Sequence, residues 1–159
     1  MPFVIIRTMP KRPSWDEYFM QLAHTVSTRA TCLRRSVGAV IVRNRRILST
    51  GYNGAPRGVP HCEEYGCDTT QRCQLAAHAE QNAIAQAAAN GVSCEGGTLY
   101  VTCQPCNVCA KLIINSGIQR VVFEGDYPDP LAIELFSMAG VELLRIECGR
   151  LEPVTDRDG

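Results

Sequence analysis

The sequence predicts an α/β fold, a three-layer α/β/α sandwich on a five-stranded mixed sheet. Two patterns carry this prediction: an early pair of apolar segments joined by a tight turn, and three later apolar segments that alternate with two helical ones. The first pattern is typical of an antiparallel hairpin, and strand–helix–strand crossovers join parallel neighbours. A length of 159 residues suits one domain, which we expect at residues 1–148 with a loose polar tail at 149–159.

The first predicted elements are a helix and the hairpin. Ser14 and Glu17 have the spacing of a capping box, and apolar residues then recur at helical spacing. We therefore expect a helix from Trp15 to about Thr28. The two strands of the hairpin are predicted at residues 37–42 and 46–52.

The later part of the chain carries the alternating strands and helices. Residues 53–77 show no periodicity. So long an irregular stretch inside a compact domain is normally functional or held in place by further contacts. A helix is predicted from His78 to a C-terminal cap at Asn90 and Gly91. The remaining elements are strands at 98–102, 120–123 and 141–146, separated by helices at 106–116 and 131–139.

Charge and hydropathy exclude several classes of protein. The 16 lysines and arginines balance the 16 aspartates and glutamates, so the basic excess of a dedicated nucleic-acid binder is absent. No apolar run is long enough to span a bilayer, and residues 3–6 are too short for a signal-peptide core. We expect a cytoplasmic protein with a small-molecule substrate and with neither nucleic acid nor membrane as partner. In that reducing compartment, its nine cysteines point to metal before disulfides.

Two short motifs at the starts of successive predicted helices form a candidate metal site. Cys106 and Cys109 lie three residues apart, so one helical turn presents both sulfurs on the same side. A helix N-terminus favours the thiolate form that metal binding requires. His78 supplies a third ligand, and three protein ligands with an open fourth position are typical of a catalytic zinc.

Glu80, two residues after His78, is the predicted proton shuttle. Two thiolates cancel the charge of Zn²⁺, so a water on this metal needs a base, and Glu80 is placed to be that base. A CxxC pair alone is also compatible with a redox pair or half of a structural zinc site. The combined pattern H-x-E followed by P-C-x-x-C is the known signature of zinc deaminases, which makes the joint assignment specific.

The chain resembles the deoxycytidylate (dCMP) deaminase family of the zinc-dependent cytidine deaminase superfamily over about residues 15–146. It looks most similar to the bacterial competence-operon branch, which shares the cysteine-bearing loop between Gly54 and His78. The resemblance implies hydrolysis of dCMP to dUMP with release of ammonia, and a catalytic zinc. It is carried by Cys32-x-Arg34, Gly51-Tyr52-Asn53-Gly54, His78-Ala79-Glu80, Leu99-Tyr100-Val101-Thr102, Cys106-x-x-Cys109-Ala110-Lys111 and Ser116-Gly117-Ile118.

Membership of this family implies substrate contacts at four positions. Asn53 would hydrogen-bond the sugar, and the backbone N–H of Ala79 would meet the pyrimidine carbonyl. Tyr127 would pack near the base, and the arginines before Val37, chiefly Arg34, would lie near the 5′-phosphate. Family members are commonly hexamers, so the resemblance also implies a homo-oligomer.

A second zinc site, structural in role, is expected at four of the remaining cysteines. They bracket the irregular region, and the hairpin can bring the first of them to the others. The competence-operon branch carries cysteines at the same positions. The alternatives are His61 in place of one cysteine, or two thiol pairs or disulfides. The four positions are Cys32, Cys62, Cys67 and Cys73.

Two other functions compete with dCMP deamination. A tRNA adenosine deaminase shares the zinc motifs, but the zero net charge and the cysteine-rich loop speak against it. A zinc-stabilised binding protein related to competence is the non-enzymatic alternative. The presence of Glu80 argues against that alternative, because a site without catalysis has no use for a proton shuttle.

Overall fold

The computed structural model describes residues 11–67, 70, 73, 75–126 and 128–155. They form five helices and a six-stranded sheet with the order β2-β1-β3-β4-β5-β6. The elements are α1 (Trp15–Ser27), β1 (Gly38–Arg43), β2 (Arg46–Tyr52), α2 (Cys62–Tyr65), α3 (Ala79–Ala89), β3 (Thr98–Val101), α4 (Asn107–Asn115), β4 (Arg120–Phe123), α5 (Pro130–Ala139), β5 (Glu142–Glu147) and β6 (Arg150–Pro153).

The sheet is mixed, as predicted. β1 pairs antiparallel with both β2 and β3, while β3, β4 and β5 are parallel neighbours. The hairpin between β1 and β2 turns at Asn44 and Arg45, whose φ angles of 51° and 61° match a two-residue type I′ turn. This turn type follows the twist of the flanking strands, which explains why the hairpin closes so tightly.

The sixth strand corrects the prediction of five strands. β6 pairs antiparallel with β5 through a second two-residue turn at Cys148 and Gly149, both with positive φ. The prediction of a loose tail over residues 149–159 was therefore wrong for residues 150–153, while residues 156–159 lie outside the described part. β6 is a polar edge strand in which only Leu151 packs against the core. Its sequence therefore lacks the apolar pattern by which the other strands were predicted.

Helices cover both faces of the sheet, which confirms the three-layer arrangement. α1 begins with the predicted capping box and packs Phe19, Met20 and Ala23 onto one face. α3, α4 and α5 contribute to the core on the other face. Among the described residues, none of these helices has the length and apolar character to cross a bilayer.

The contact between α3 and β2 positions the candidate site. A Cβ on Gly51 would lie 2.3 Å from the carbonyl oxygen of Ala79 and 2.3 Å from the backbone nitrogen of Ala83. Real Cβ contacts are not that short, so only glycine lets the first turn of α3 rest directly on β2. This close approach fixes the N-terminus of α3, where His78 and Glu80 lie.

Candidate active site and metal centre

The candidate metal ligands lie at the N-termini of α3 and α4. His78 is the N-cap of α3, and its backbone N–H donates a 2.7 Å hydrogen bond to the side chain of Gln81. Cys106 is the N-cap of α4, and its carbonyl accepts the N–H of Ala110 at 2.8 Å. Cys109 follows within the first turn of α4, so the two helix starts bring all three side chains to one point.

The geometry of these three residues fits a zinc ion. The Nδ1 of His78 lies 3.6 Å from the sulfur of Cys106 and 3.3 Å from that of Cys109. In a tetrahedral site with ordinary Zn–S and Zn–N bonds, a sulfur and a nitrogen ligand are about 3.6 Å apart. All three ligand atoms lie within 4.8 Å of one another, and both cysteines are buried. The predicted ligand set is therefore assembled in space.

The two thiols of this group differ in how readily they lose a proton. A hydrogen bond from Cys109 lowers the pKa of Cys106 to about 3, although burial opposes ionisation. The same contact, together with burial, raises the pKa of Cys109. One proton is thus shared between two sulfurs, and a divalent cation placed between them would favour loss of that proton as well.

Glu80 lies in the first turn of α3 and is almost completely buried, with 4% of its surface exposed. Burial raises the pKa of its carboxyl from the usual 4.5 to about 7, while His78 acts in the opposite direction. The side chain also interacts with Cys109. A carboxyl that exchanges a proton near neutral pH beside a metal site has the properties of a general acid–base group.

A cavity of about 450 Å³ opens in front of these groups. Most of the sequence-predicted site residues meet in its wall: His78, Ala79, Glu80, Cys106, Arg34, Asn53, Cys32 and Cys73. Arg35, the second arginine before Val37, also lines the cavity. Tyr127 lies outside the described residues, so its predicted contact with the base stays a prediction.

Asn53 lines the cavity and is buried, but its amide group contacts the protein itself. Its Oδ1 accepts the backbone N–H of Val37 at 2.8 Å, and its Nδ2 donates to the carbonyl of Arg35 at 2.8 Å. Each amide atom still has capacity for one further hydrogen bond. The predicted contact with the sugar therefore stays a prediction.

Asp129 is a cavity-lining residue that sequence reasoning missed. Its carboxylate accepts the backbone and side-chain N–H groups of Asn107, each at 2.9 Å, and caps α5 through the N–H of Ala132 at 3.2 Å. Partial burial opposes ionisation, but these hydrogen bonds hold the pKa of Asp129 below its usual value. One carboxylate thus links α5 to the turn that carries Cys106. The Asp-Pro pair at a helix start was the available signal.

The four cysteines of the predicted second zinc site lie near one another. Cys62 is buried at the start of α2, and burial together with the nearby thiols raises its pKa. All four are free thiols, so the structure does not form the alternative disulfides. Within the described residues, only His78, Cys106 and Cys109 bring three possible ligand atoms within 4.8 Å of one another. The four cysteines are therefore spaced more widely than those three ligands. The nearby thiols are those of Cys32, Cys73 and Cys67.

Comparison with known proteins agrees with this geometry. The profile of the cytidine and deoxycytidylate deaminase zinc-binding region matches residues 13–125. ComE operon protein 2 of Bacillus subtilis is 45% identical over 86% of this chain and 74% of that protein. The deoxycytidylate deaminase of Schizosaccharomyces pombe is 39% identical over 83% of this chain, which spans only 44% of the yeast protein.

A solved structure extends the agreement to the fold. The crystal structure of dCMP deaminase from the cyanophage S-TIM5, in complex with dCMP and dUMP, superposes with a TM-score of 0.77. The two sequences are 31% identical, and the match covers 86% of this chain and all of that chain. The resemblance predicted from the motifs, including the competence-operon branch, is confirmed. This chain belongs to the cytidine and deoxycytidylate deaminase family.

Proposed function

We propose that this protein hydrolyses dCMP to dUMP and ammonia. The observation that carries the proposal is the buried Glu80, whose raised pKa suits proton transfer, in one cavity with His78 and Cys106. Relatives and a solved structure of similar fold are named dCMP deaminases. The cavity is large enough for a nucleotide, because ligand pockets commonly measure about 300–1,000 Å³.

The chemistry requires a water, a proton carrier and a held base. A zinc ion bound by His78, Cys106 and Cys109 would supply a Lewis acid that lowers the pKa of a bound water. Glu80 accepts a proton from the attacking water, whose oxygen bonds to the amino-bearing carbon, and delivers that proton to the ring nitrogen. It then carries the second proton of that oxygen to the departing amine. The C–N bond breaks, a carbonyl replaces it, and ammonia leaves.

Four further groups hold the substrate in this proposal. The N–H of Ala79 is at the N-terminus of α3, where backbone donors have no partner within the helix, and it meets the pyrimidine carbonyl. Asn53 contacts the sugar through its remaining hydrogen-bonding capacity. Arg34 lies in the cavity wall and contacts the 5′-phosphate. The place of Tyr127 beside the base rests on the family resemblance.

The experiment that tests the proposal is ammonia release from a panel of possible substrates. The panel contains dCMP, CMP, deoxycytidine, cytosine and a tRNA anticodon arm. We expect dCMP to react with the highest kcat/KM, and deoxycytidine at least about tenfold more slowly, because a charge-assisted phosphate contact contributes about 1.5 to 3 kcal/mol. A preference for the tRNA arm would instead support the tRNA deaminase alternative. No reaction with any of them would support the binding-protein alternative.

The second zinc belongs to the proposal as a structural centre. Cys32, Cys62, Cys67 and Cys73 are free thiols, and burial together with the three nearby thiols raises the pKa of Cys62. Cys62, Cys67 and Cys73 lie on a long irregular stretch whose described part contains only the four-residue helix α2, and Cys32 lies between α1 and β1. A bound cation would remove the repulsion among neighbouring thiolates and fix that stretch. Elemental analysis is expected to find two zinc ions per chain, and one zinc would reject the second site.

Assembly and location complete the proposal. Following its family, the protein forms a homo-oligomer, with the hexamer as the expected size, and acts in the cytoplasm. Light scattering after size-exclusion chromatography measures the assembly directly. A mass of about six times the 17.4 kDa of one chain is expected, and a monomer would contradict it.

A further inference from the structure

The side chain and backbone of Asn53 together bind the segment at residues 31–37, here called the arginine loop. Its Oδ1 accepts the N–H of Val37 at 2.8 Å, and its Nδ2 donates to the carbonyl of Arg35 at 2.8 Å. The N–H of Asn53 donates to the carbonyl of Val37 at 3.2 Å. Its own carbonyl accepts the N–H of Thr31 at 3.1 Å. One residue thus contacts the loop at three points.

The arginine loop needs such an anchor. Residues 30–37 have no helical or strand structure, and Leu33 within them is 55% exposed. The loop nevertheless carries Arg34 and Arg35, both of which line the cavity. The guanidinium of Arg35 also lies 3.8 Å from the sulfur of Cys103 in the cavity wall. An irregular segment keeps two long side chains at a fixed wall only if its backbone is held.

The hydrogen bonds of Asn53 are suited to this task because they are shielded. Asn53 is 8% exposed, and a buried polar group that loses its partners is destabilised by the full desolvation penalty. The amide therefore holds the carbonyl of Arg35 and the N–H of Val37 in one geometry. The backbone of Arg35, and with it the start of the Arg35 side chain, is fixed by the side chain of Asn53.

We propose that Asn53 is a positioning residue for the 5′-phosphate, acting through the backbone of the arginine loop to aim Arg34 and Arg35 into the cavity. This role rests on the proposed function, because it requires a nucleotide monophosphate as substrate. It differs from a sugar contact in one measurable respect. Deoxycytidine and dCMP share the sugar and differ only in the phosphate, so a lost sugar contact weakens both substrates alike.

The test compares dCMP with deoxycytidine in the full-length, zinc-loaded protein. In Asn53→Ala we expect the preference for dCMP, measured as the ratio of kcat/KM values, to fall about tenfold or more, mainly through KM for dCMP. Asn82→Ala is the matched control, because it removes a 2.7 Å side-chain hydrogen bond to the neighbouring Tyr52 carbonyl without contacting the arginine loop. That control is expected to keep the wild-type ratio.

A second variant keeps the test valid if Asn53→Ala does not fold. Asn53→Asp retains an acceptor for the N–H of Val37 and loses the donor to the carbonyl of Arg35, so the ratio is expected to fall in the same direction. If wild type prefers dCMP and both Asn53 variants keep that preference, the positioning role is wrong. If wild type shows no preference for dCMP, the proposed function itself fails, and this role fails with it.

Discussion

Replacement of Glu80 by glutamine is expected to stabilise the metal-free protein while it removes catalysis. The carboxyl is 4% exposed, and burial raises its pKa from the usual 4.5 to about 7. Ionised Glu80 is therefore less favourable in the folded chain than in the unfolded chain. Glutamine has a similar shape and carries no charge, so it avoids this penalty.

The size and pH dependence of the effect follow from the two pKa values. Below pH 4.5 the carboxyl is protonated in both states, so the folded chain has no penalty. Between pH 4.5 and 7 only the unfolded chain ionises, and stability is lost as the pH rises. Above pH 7 the loss is complete, and a difference between 4.5 and 7 corresponds to about 3 kcal/mol.

Urea unfolding of chelator-treated wild type and Glu80→Gln, followed by circular dichroism between pH 4 and 8.5, measures this difference. The variant is expected to be more stable by about 3 kcal/mol at pH 8 and to approach wild type near pH 4. Glu95→Gln, on a surface-exposed carboxyl, is the control and is expected to change stability little at any pH. Equal stability of wild type and Glu80→Gln at pH 8 would refute the idea that burial disfavours the ionised form of this carboxyl.

Three further changes test the second zinc site, the link from Asp129 to α4 and the contact between α3 and β2. Cys67→Ser combined with Cys73→Ser is expected to reduce zinc from two ions per chain to one by elemental analysis, and an unchanged stoichiometry would contradict the second centre. Asp129→Ala removes the cap of α5 and the hydrogen bonds to Asn107, so it should destabilise the protein by about 1 kcal/mol and lower its zinc affinity in a chelator competition. An unchanged zinc affinity would mean that Asp129 does not hold the turn that carries Cys106. Gly51→Ala forces a methyl group to within 2.3 Å of the Ala79 carbonyl, and a loss of about 3 kcal/mol is expected in urea unfolding. A loss below about 0.5 kcal/mol would mean that α3 can move away from β2.

The sequence predicted the elements whose physics is local. The capping box at Ser14, the tight turn of the hairpin and the alternation of strands with helices each depend on neighbouring residues, and the structure has them all. The ligand group was predictable because each ligand lies at a helix start. Spacing along the chain alone fixes where Cys106 and Cys109 point relative to each other.

Features that depend on tertiary contacts were not predictable in the same way. The polar strand β6 pairs only because β5 offers an edge next to the turn at Cys148. The link from Asp129 to Asn107 spans 22 residues, and the bond from Asn53 to the Arg35 carbonyl spans 18. Neither contact leaves a periodic signal. The raised pKa of Glu80 likewise follows from burial beneath several elements.

The central claim is that zinc and Glu80 together convert dCMP to dUMP, and paired product measurement tests it most directly. Wild type and Glu80→Gln are brought to the same catalytic zinc content, and dUMP and ammonia are followed over time from dCMP. We expect equal amounts of both products from wild type, and turnover lower by about 10²- to 10⁴-fold in Glu80→Gln. Near wild-type turnover by zinc-loaded Glu80→Gln, or no dUMP from zinc-loaded wild type, would contradict it.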